Sequence, residues 1–438
     1  MSQPATRTLN VFYLVIFGEF VSLLGSSLTS FGLGVWAYQH SRSATQFALI
    51  SLFAVLPGIL IAPLAGTLVD RWDRRRVMLV ADLGAGLTTL AIAALLVTGR
   101  LEVWHIYITA ALSAAFSAFQ MPAAAASVTL LVPKEKLSQA SGLMQLGQAI
   151  AQIVAPALAG ALLLGIGLPG ILLIDFATFL FAVGVLALVK FPALQRSAEA
   201  AAHSGSVVRE TVYGWRYILA RPGLVAMLAL VAATNFSMAV VSALFTPMML
   251  TLTTPDRLGQ VMTVGGLGML AGGVTLSVWG GPKRRIHGVL GFLALAGFSI
   301  MLGGASPAVL VIAVAAFGFF FAQPLINGAL QAIWQTKVAP DVQGRVFSAR
   351  NMFATLMSPL AFGLAGPLAD RVFEPLMAPG GALAGSVGQF IGVGAGRGIG
   401  LIFIVMGWLA VAATGVGYLY PRLARVEDEL PDAIPSAA

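Results

Sequence analysis

Apolar runs of about twenty residues, broken by short polar turns, recur along the whole chain. About twenty apolar residues in a helix cross the hydrocarbon layer of a bilayer. On that ruler the pattern predicts spanning helices near 11–38, 46–69, 77–98, 103–125, 139–165 and 168–190. A second set follows near 223–252, 258–280, 287–304, 306–330, 346–371 and 397–420. A spanning β-barrel would need ten-residue strands that alternate apolar and polar positions, and these runs are far too uniformly apolar. Residues 191–222 form the longest polar interruption. Within it, SVVRETVYGWRYILARP sets Val208, Val212, Trp215 and Leu219 at helical spacing beside Arg209 and Arg216. That pattern predicts a basic amphipathic helix on the inner leaflet, with a partly ordered linker as the alternative. The acidic, proline-containing tail 426–438 reads as disordered.

The expected architecture is therefore an all-α membrane protein of twelve transmembrane helices in two six-helix bundles. The bundles are expected at 1–190 and 223–421, joined by a cytoplasmic linker at 191–222 and followed by a disordered cytoplasmic tail at 422–438. Composition agrees: 58% of the 438 residues are apolar and only 10% are charged, against roughly 25% charged in soluble domains. The net charge of +8 does not imply a nucleic-acid partner, because the basic residues follow the membrane sidedness of the turns. With the N-terminus inside, 20 of the 25 lysines and arginines fall on inner segments, leaving Arg42, Arg100, Arg257, Arg371 and Arg397 outside. That bias places both termini in the cytoplasm. The N-terminus is too short and polar, and the first apolar run too long, for a cleavable signal.

Enzyme chemistry finds no support. Cysteine is absent, and His40, His105, His203 and His287 lie far apart in loops or at span ends. No HExxH metal motif and no phosphate-binding GK[ST] loop occurs, so no metal, cofactor or ATP hydrolysis is expected.

The two halves repeat. Pro156 and Gly160 in the fifth span recur as Pro359 and Gly363 in the eleventh, 203 residues later. Gln120-Met-Pro122 in the fourth has a counterpart in Gln323-Pro324 of the tenth. The turn RWDRRR after the second span is echoed by PKRR, with Lys283, Arg284 and Arg285, after the eighth. Six spans repeated in one orientation give two bundles related by a pseudo-twofold axis along the membrane normal, a layout suited to alternating access at a midplane site.

The turn GTLVDRWDRRR, residues 66–76, concentrates four arginines and two aspartates in a chain with few charges. Such a knot belongs outside hydrocarbon, and its positive excess places it on the cytoplasmic side. It resembles motif A of the major facilitator superfamily, Gly-x-x-x-Asp-Arg-x-Gly-Arg-Arg/Lys, through Gly66, Asp70, Arg71, Arg74 and Arg75. Asp73 stands where the family has its second glycine. The stretch 147–160, GQAIAQIVAPALAG, resembles the antiporter motif of the family's exporters at Pro156 and Gly160, with Ala155 and Ala159 replacing glycines. Segments 22–45 and 344–370 resemble the drug:proton antiporter branch that includes macrolide and siderophore exporters. The resemblance implies a multidrug-type efflux antiporter that exports an amphipathic small molecule, such as a drug, macrolide, peptide natural product or siderophore, by proton exchange and alternating access. Its expected partners are a small-molecule substrate, protons and membrane lipid, with a monomer as the expected state. Lysophospholipid transport or nutrient uptake on the same fold is the alternative, followed by a non-transporting sensor or assembly partner.

Three carboxylates fall within spans: Glu19, Asp82 and Asp175. A charge at that depth is costly and marks a functional candidate. Glu19 is the expected site of proton coupling or cationic-substrate binding, with a structural hydrogen-bonding role as the alternative. The same two readings apply to Asp175. Asp82, close after Arg76, is expected to pair with the motif arginines and act in gating. Ser22, Ser26 and Ser30 share a helix face with Glu19, and Gln145, Gln148 and Gln152 share one on the fifth span. These, with Gln120, Asn235, Gln323 and Asn327, are the expected cavity-lining residues. Pro156, Gly160, Pro359 and Gly363 are the expected sites of helix bending and close packing. Arg350 and Asn351, at the start of the eleventh span, are expected at the inner gate or in the headgroup zone. The arginine that many family antiporters carry in the fourth span is missing from 103–125.

Overall fold

The computed structural model describes residues 5–69, 72–133, 136–189, 207–339 and 342–429. Among them are twelve helices long and apolar enough to cross a membrane. The first six are α1 (Ala5–Ser41), α2 (Ala44–Val69), α3 (Arg74–Val97), α4 (Val103–Leu131), α5 (Leu137–Gly165) and α6 (Gly167–Leu188). A shorter α7 (Val207–Leu219) precedes α8 (Pro222–Leu252), α9 (Pro255–Trp279), α10 (Arg285–Ala305), α11 (Val309–Lys337) and α12 (Gln343–Leu368). A π-helical turn (Ala369–Phe373), α13 (Glu374–Met377) and α14 (Gly388–Ile391) lead to α15 (Arg397–Leu419), then α16 (Pro421–Ala424) and α17 (Val426–Glu429). Helices bond most of their own backbone along their length, as hydrocarbon requires. Large apolar side chains such as Leu60, Val97 and Leu188 stand exposed on the helix surfaces, as lipid-facing positions do.

Local chemistry sets the helix boundaries. Arg42, at a positive φ of 51°, breaks the chain between α1 and α2, and the Ser43 hydroxyl accepts from Gln46 N at 3.2 Å to start α2. Asp73 caps α3 by accepting from Arg76 N at 2.9 Å. The residue that replaces the motif glycine is thus a helix cap. Helix α12 ends at Leu368, and the π-helical turn and α13 continue the helical path to Met377, past the expected end of the span.

The chain separates into two compact units. The first comprises Met1–Arg196 with Thr253–Thr263, the second Ser197–Leu252 with Val264–Ala438. The stretch Thr253–Thr263 joins the first unit through close approach to α5. A Cβ at Gly160 would sit 2.8 Å from Pro255 O, and one at Gly259 would sit 2.3 Å from Pro156 O. Gly160 therefore serves close packing, as its small size suggests. Gly363 does not, since a Cβ there would meet nothing within 4 Å.

In the second unit the core runs through Met227, Leu290, Ile333, Trp334 and Val346. One expectation is corrected there and one is made more specific. Helix α7 forms, and one of its faces docks on protein. Ile218 is fully buried, Trp215 meets Phe353 edge-on at 5.6 Å between centroids, and a Cβ at Gly214 would lie 2.4 Å from Arg345 O. Glycine at 214 permits that approach to α12, whereas Leu219, read as part of the apolar face, is 64% exposed. The side chains of Val208, Arg209 and Val212 lie outside the described ones. The tail is also ordered as far as Glu429. Leu423 and Val426 are buried, the Glu427 carboxylate accepts from Ile286 N at 2.9 Å, and Lys337 Nζ donates to Glu427 O. An acidic side chain at the N-terminus of α10 is favoured by the helix dipole. Residues 430–438 lie outside the described ones.

Candidate functional site

The first unit contains a half-open cavity of about 1590 Å³, lined by residues of α1 to α6. Most of the lining is apolar, with a few polar groups that converge on it, the usual character of a small-molecule site. Glu19, Ser22, Ser26 and Ser30 line it from α1, as their spacing predicts. Gln148 lines it from α5, while Gln145 and Gln152 are exposed and stand outside the lining.

The chief polar group is a bridged pair of carboxylates. Gln120 on α4 donates through Nε2 to Glu19 Oε2 at 3.0 Å and to Asp82 Oδ1 at 2.5 Å. One amide nitrogen carries two hydrogens, so both bonds form together. The second oxygen of each carboxyl, Glu19 Oε1 and Asp82 Oδ2, is buried without a partner. Asp82 is only 5% exposed. Two negative charges on one neutral amide, in a buried setting, repel each other unless a proton or a cation intervenes.

This arrangement corrects the partner expected of Asp82, which meets Gln120 on the cavity wall in place of a motif arginine. Of the motif arginines, Arg75 instead fastens the C-terminal end of α6. It donates to Leu186 O at 2.7 Å and Ala187 O at 2.5 Å. Gly66 falls in the last turn of α2. Asp70 and Arg71 lie outside the described residues. Arg74 has a partner of its own.

Asp175 on α6 is 3% exposed and lines the same cavity. Ser26 Oγ donates to its Oδ1 at 3.3 Å and Thr89 Oγ1 to its Oδ2 at 3.1 Å. Nearby, Thr88 Oγ1 and Ser113 Oγ are 3.1 Å apart. The hydroxyls of Thr29, Thr88, Thr89 and Ser113 were missed in the sequence, since isolated threonines and serines within apolar runs give no local signal.

The candidates of the second unit do not line this cavity. Asn235 Nδ2 reaches Ala354 O at 3.5 Å, Gln323 is half-buried and Asn327 is exposed. Arg350 forms a half-buried network on that unit. Its guanidinium donates to Gln331 Oε1 at 3.2 Å and to Asn351 Oδ1 at 3.1 Å, and it lies over the rings of Trp334 and Phe347.

Comparison with known proteins gives a consistent picture. The family model described as Major Facilitator Superfamily matches residues 15–362. The chain is 30% identical to Macrolide efflux protein A of Streptococcus pyogenes, over 82% of this chain and 90% of that one. It is 26% identical to Multidrug efflux pump Tap of Mycolicibacterium fortuitum, over 82% and 88%. Among solved structures, a bacterial homologue of the human lysosomal transporter Spinster superposes with a TM-score of 0.72, at 14% identity, over 100% of both chains. At that identity the likeness speaks for the fold.

Proposed function

The chain belongs to the Major Facilitator Superfamily, and on that premise we propose that it is a proton-coupled exporter of amphipathic small molecules, macrolides among them. The observation that carries the reading is the Glu19–Gln120–Asp82 bridge set in the wall of a large apolar cavity. The names of the relatives support efflux as the direction.

In this reading the apolar walls hold the body of the substrate, and the carboxylate pair holds either a proton or the substrate. Gln120 keeps the two carboxyls in register, so that neutralising one relieves the other. Binding of substrate displaces the proton, and protonation from the outer side returns the empty carrier. Mutual exclusion at one site is what makes exchange obligatory. The two units alternate the opening of the cavity between the faces of a bacterial inner membrane, with both termini cytoplasmic and the protein acting as a monomer. Each elementary charge moved inward gains about 2.3 kcal/mol per 100 mV of membrane potential.

The test is accumulation of a labelled macrolide in cells that express the protein, its Glu19→Gln variant, or neither. Expression of the unaltered protein lowers accumulation, and Glu19→Gln restores it at equal membrane abundance. Unchanged accumulation across a broad panel of macrolides and dyes would refute drug export. Full export by Glu19→Gln would refute the assignment of the coupling group.

A further inference from the structure

Asp175 has no part in the bridge described above, and its surroundings are unusual. Its carboxylate is 3% exposed, yet among the described residues no lysine, arginine or histidine pairs with it. Its side-chain partners are hydroxyls from two other helices, Ser26 on α1 at 3.3 Å and Thr89 on α3 at 3.1 Å. Thr29, one turn beyond Ser26, presents a third hydroxyl to the same carboxylate. Thr29 is only 8% exposed, and its Oγ1 lies outside hydrogen-bonding geometry with any partner. Glycine at 25 keeps this corner open: a Cβ there would fall 2.9 Å from Asp175 Oδ1 and 2.1 Å from Thr178 Oγ1.

We propose that Asp175, with the hydroxyls of Ser26, Thr29 and Thr89, forms a sodium site in the first unit. The donors are all hard oxygens, which suit alkali and alkaline-earth ions and not the softer transition metals. The site supplies a single negative charge, which balances a monovalent ion and leaves a divalent one half neutralised. Each hydroxyl that donates its hydrogen to the carboxylate keeps lone pairs for a cation. The orphaned Thr29 oxygen gains the partner it lacks. All four side chains border the cavity, which gives an ion from solution a route to them. Three helices meet at this point, so an ion here ties α1, α3 and α6 together. The site is separate from the Glu19–Asp82 pair and does not depend on what the protein exports.

The test is thermal unfolding of the purified full-length protein in detergent, titrated with NaCl against KCl and choline chloride at constant ionic strength. Sodium is expected to raise the melting temperature, with the rise growing as the logarithm of sodium concentration above the dissociation constant, while potassium and choline are equivalent to each other. Asp175→Asn abolishes the sodium response, while Glu19→Gln keeps it. Thr29→Val exchanges the hydroxyl for a methyl of the same shape, and its melting temperature in choline chloride serves as its own baseline. The sodium concentration it needs for a given rise in melting temperature increases about tenfold, the equivalent of about 1.4 kcal/mol. Should Asp175→Asn fail to fold, Thr29→Val decides: a higher sodium requirement for the same rise supports the site, and an unchanged requirement overturns it. Equal melting curves in sodium and choline for the unaltered protein would overturn the proposal. So would a potassium response that matches sodium, or a full sodium response in Asp175→Asn.

Discussion

Replacing Gln120 by leucine isolates the bridge between the two carboxylates. The substitution keeps a side chain of similar size but removes both hydrogens that reach Glu19 Oε2 and Asp82 Oδ1. A hydrogen bond to a charged group contributes about 1.5–3 kcal/mol, so two such bonds lost from ionised partners would cost about 3–6 kcal/mol. The carboxyls escape most of that penalty by keeping a proton between them. The variant is therefore expected to fold but to hold its proton more firmly against substrate. The assay is macrolide uptake into everted membrane vesicles energised by a pH gradient, measured across the pH range. Competition between proton and substrate makes apparent affinity rise with pH in the unaltered protein. In Gln120→Leu the same curve moves to higher pH. If binding of substrate draws on even 1.4 kcal/mol of the lost stabilisation, affinity at a fixed pH falls about tenfold. A variant whose pH profile and affinity match those of the unaltered protein would refute the reasoning.

Two structural predictions accompany it. Asp73→Ala removes the cap from α3 and is expected to destabilise by about 1 kcal/mol, read as a lower melting temperature that Asp73→Asn restores. Gly398→Ala would set a Cβ 2.4 Å from Glu374 N and Phe373 C, both backbone atoms. A cost of about 1–3 kcal/mol is expected for such overpacking, measurable as reduced thermal stability with an unchanged pH profile of transport.

The fold was largely legible in the sequence because hydrocarbon imposes a length on each apolar run, and the arginine-rich turns mark where runs end. The pattern could not reveal side chains that meet across the bundle. Gln120 is 101 residues from Glu19 and 38 from Asp82, so nothing local pairs them. Nearness in sequence instead suggested the arginines for Asp82. The docking of α7 was hidden for a related reason. Helical periodicity picks out Trp215 but not the buried Ile218, nor Gly214, whose lack of a side chain lets the backbone of α12 approach. The acidic composition around Glu427 suggested a solvated tail, but the same charge is drawn to the N-terminus of α10.

The central claim is that substrate and proton exclude each other at Glu19. Its most direct test is proton release when a macrolide is titrated into purified protein in weakly buffered detergent solution. Binding to the unaltered protein is predicted to release protons in a saturable way, and binding to Glu19→Gln to release none. Saturable macrolide binding without proton release from the unaltered protein, at any pH where it binds, would contradict the account.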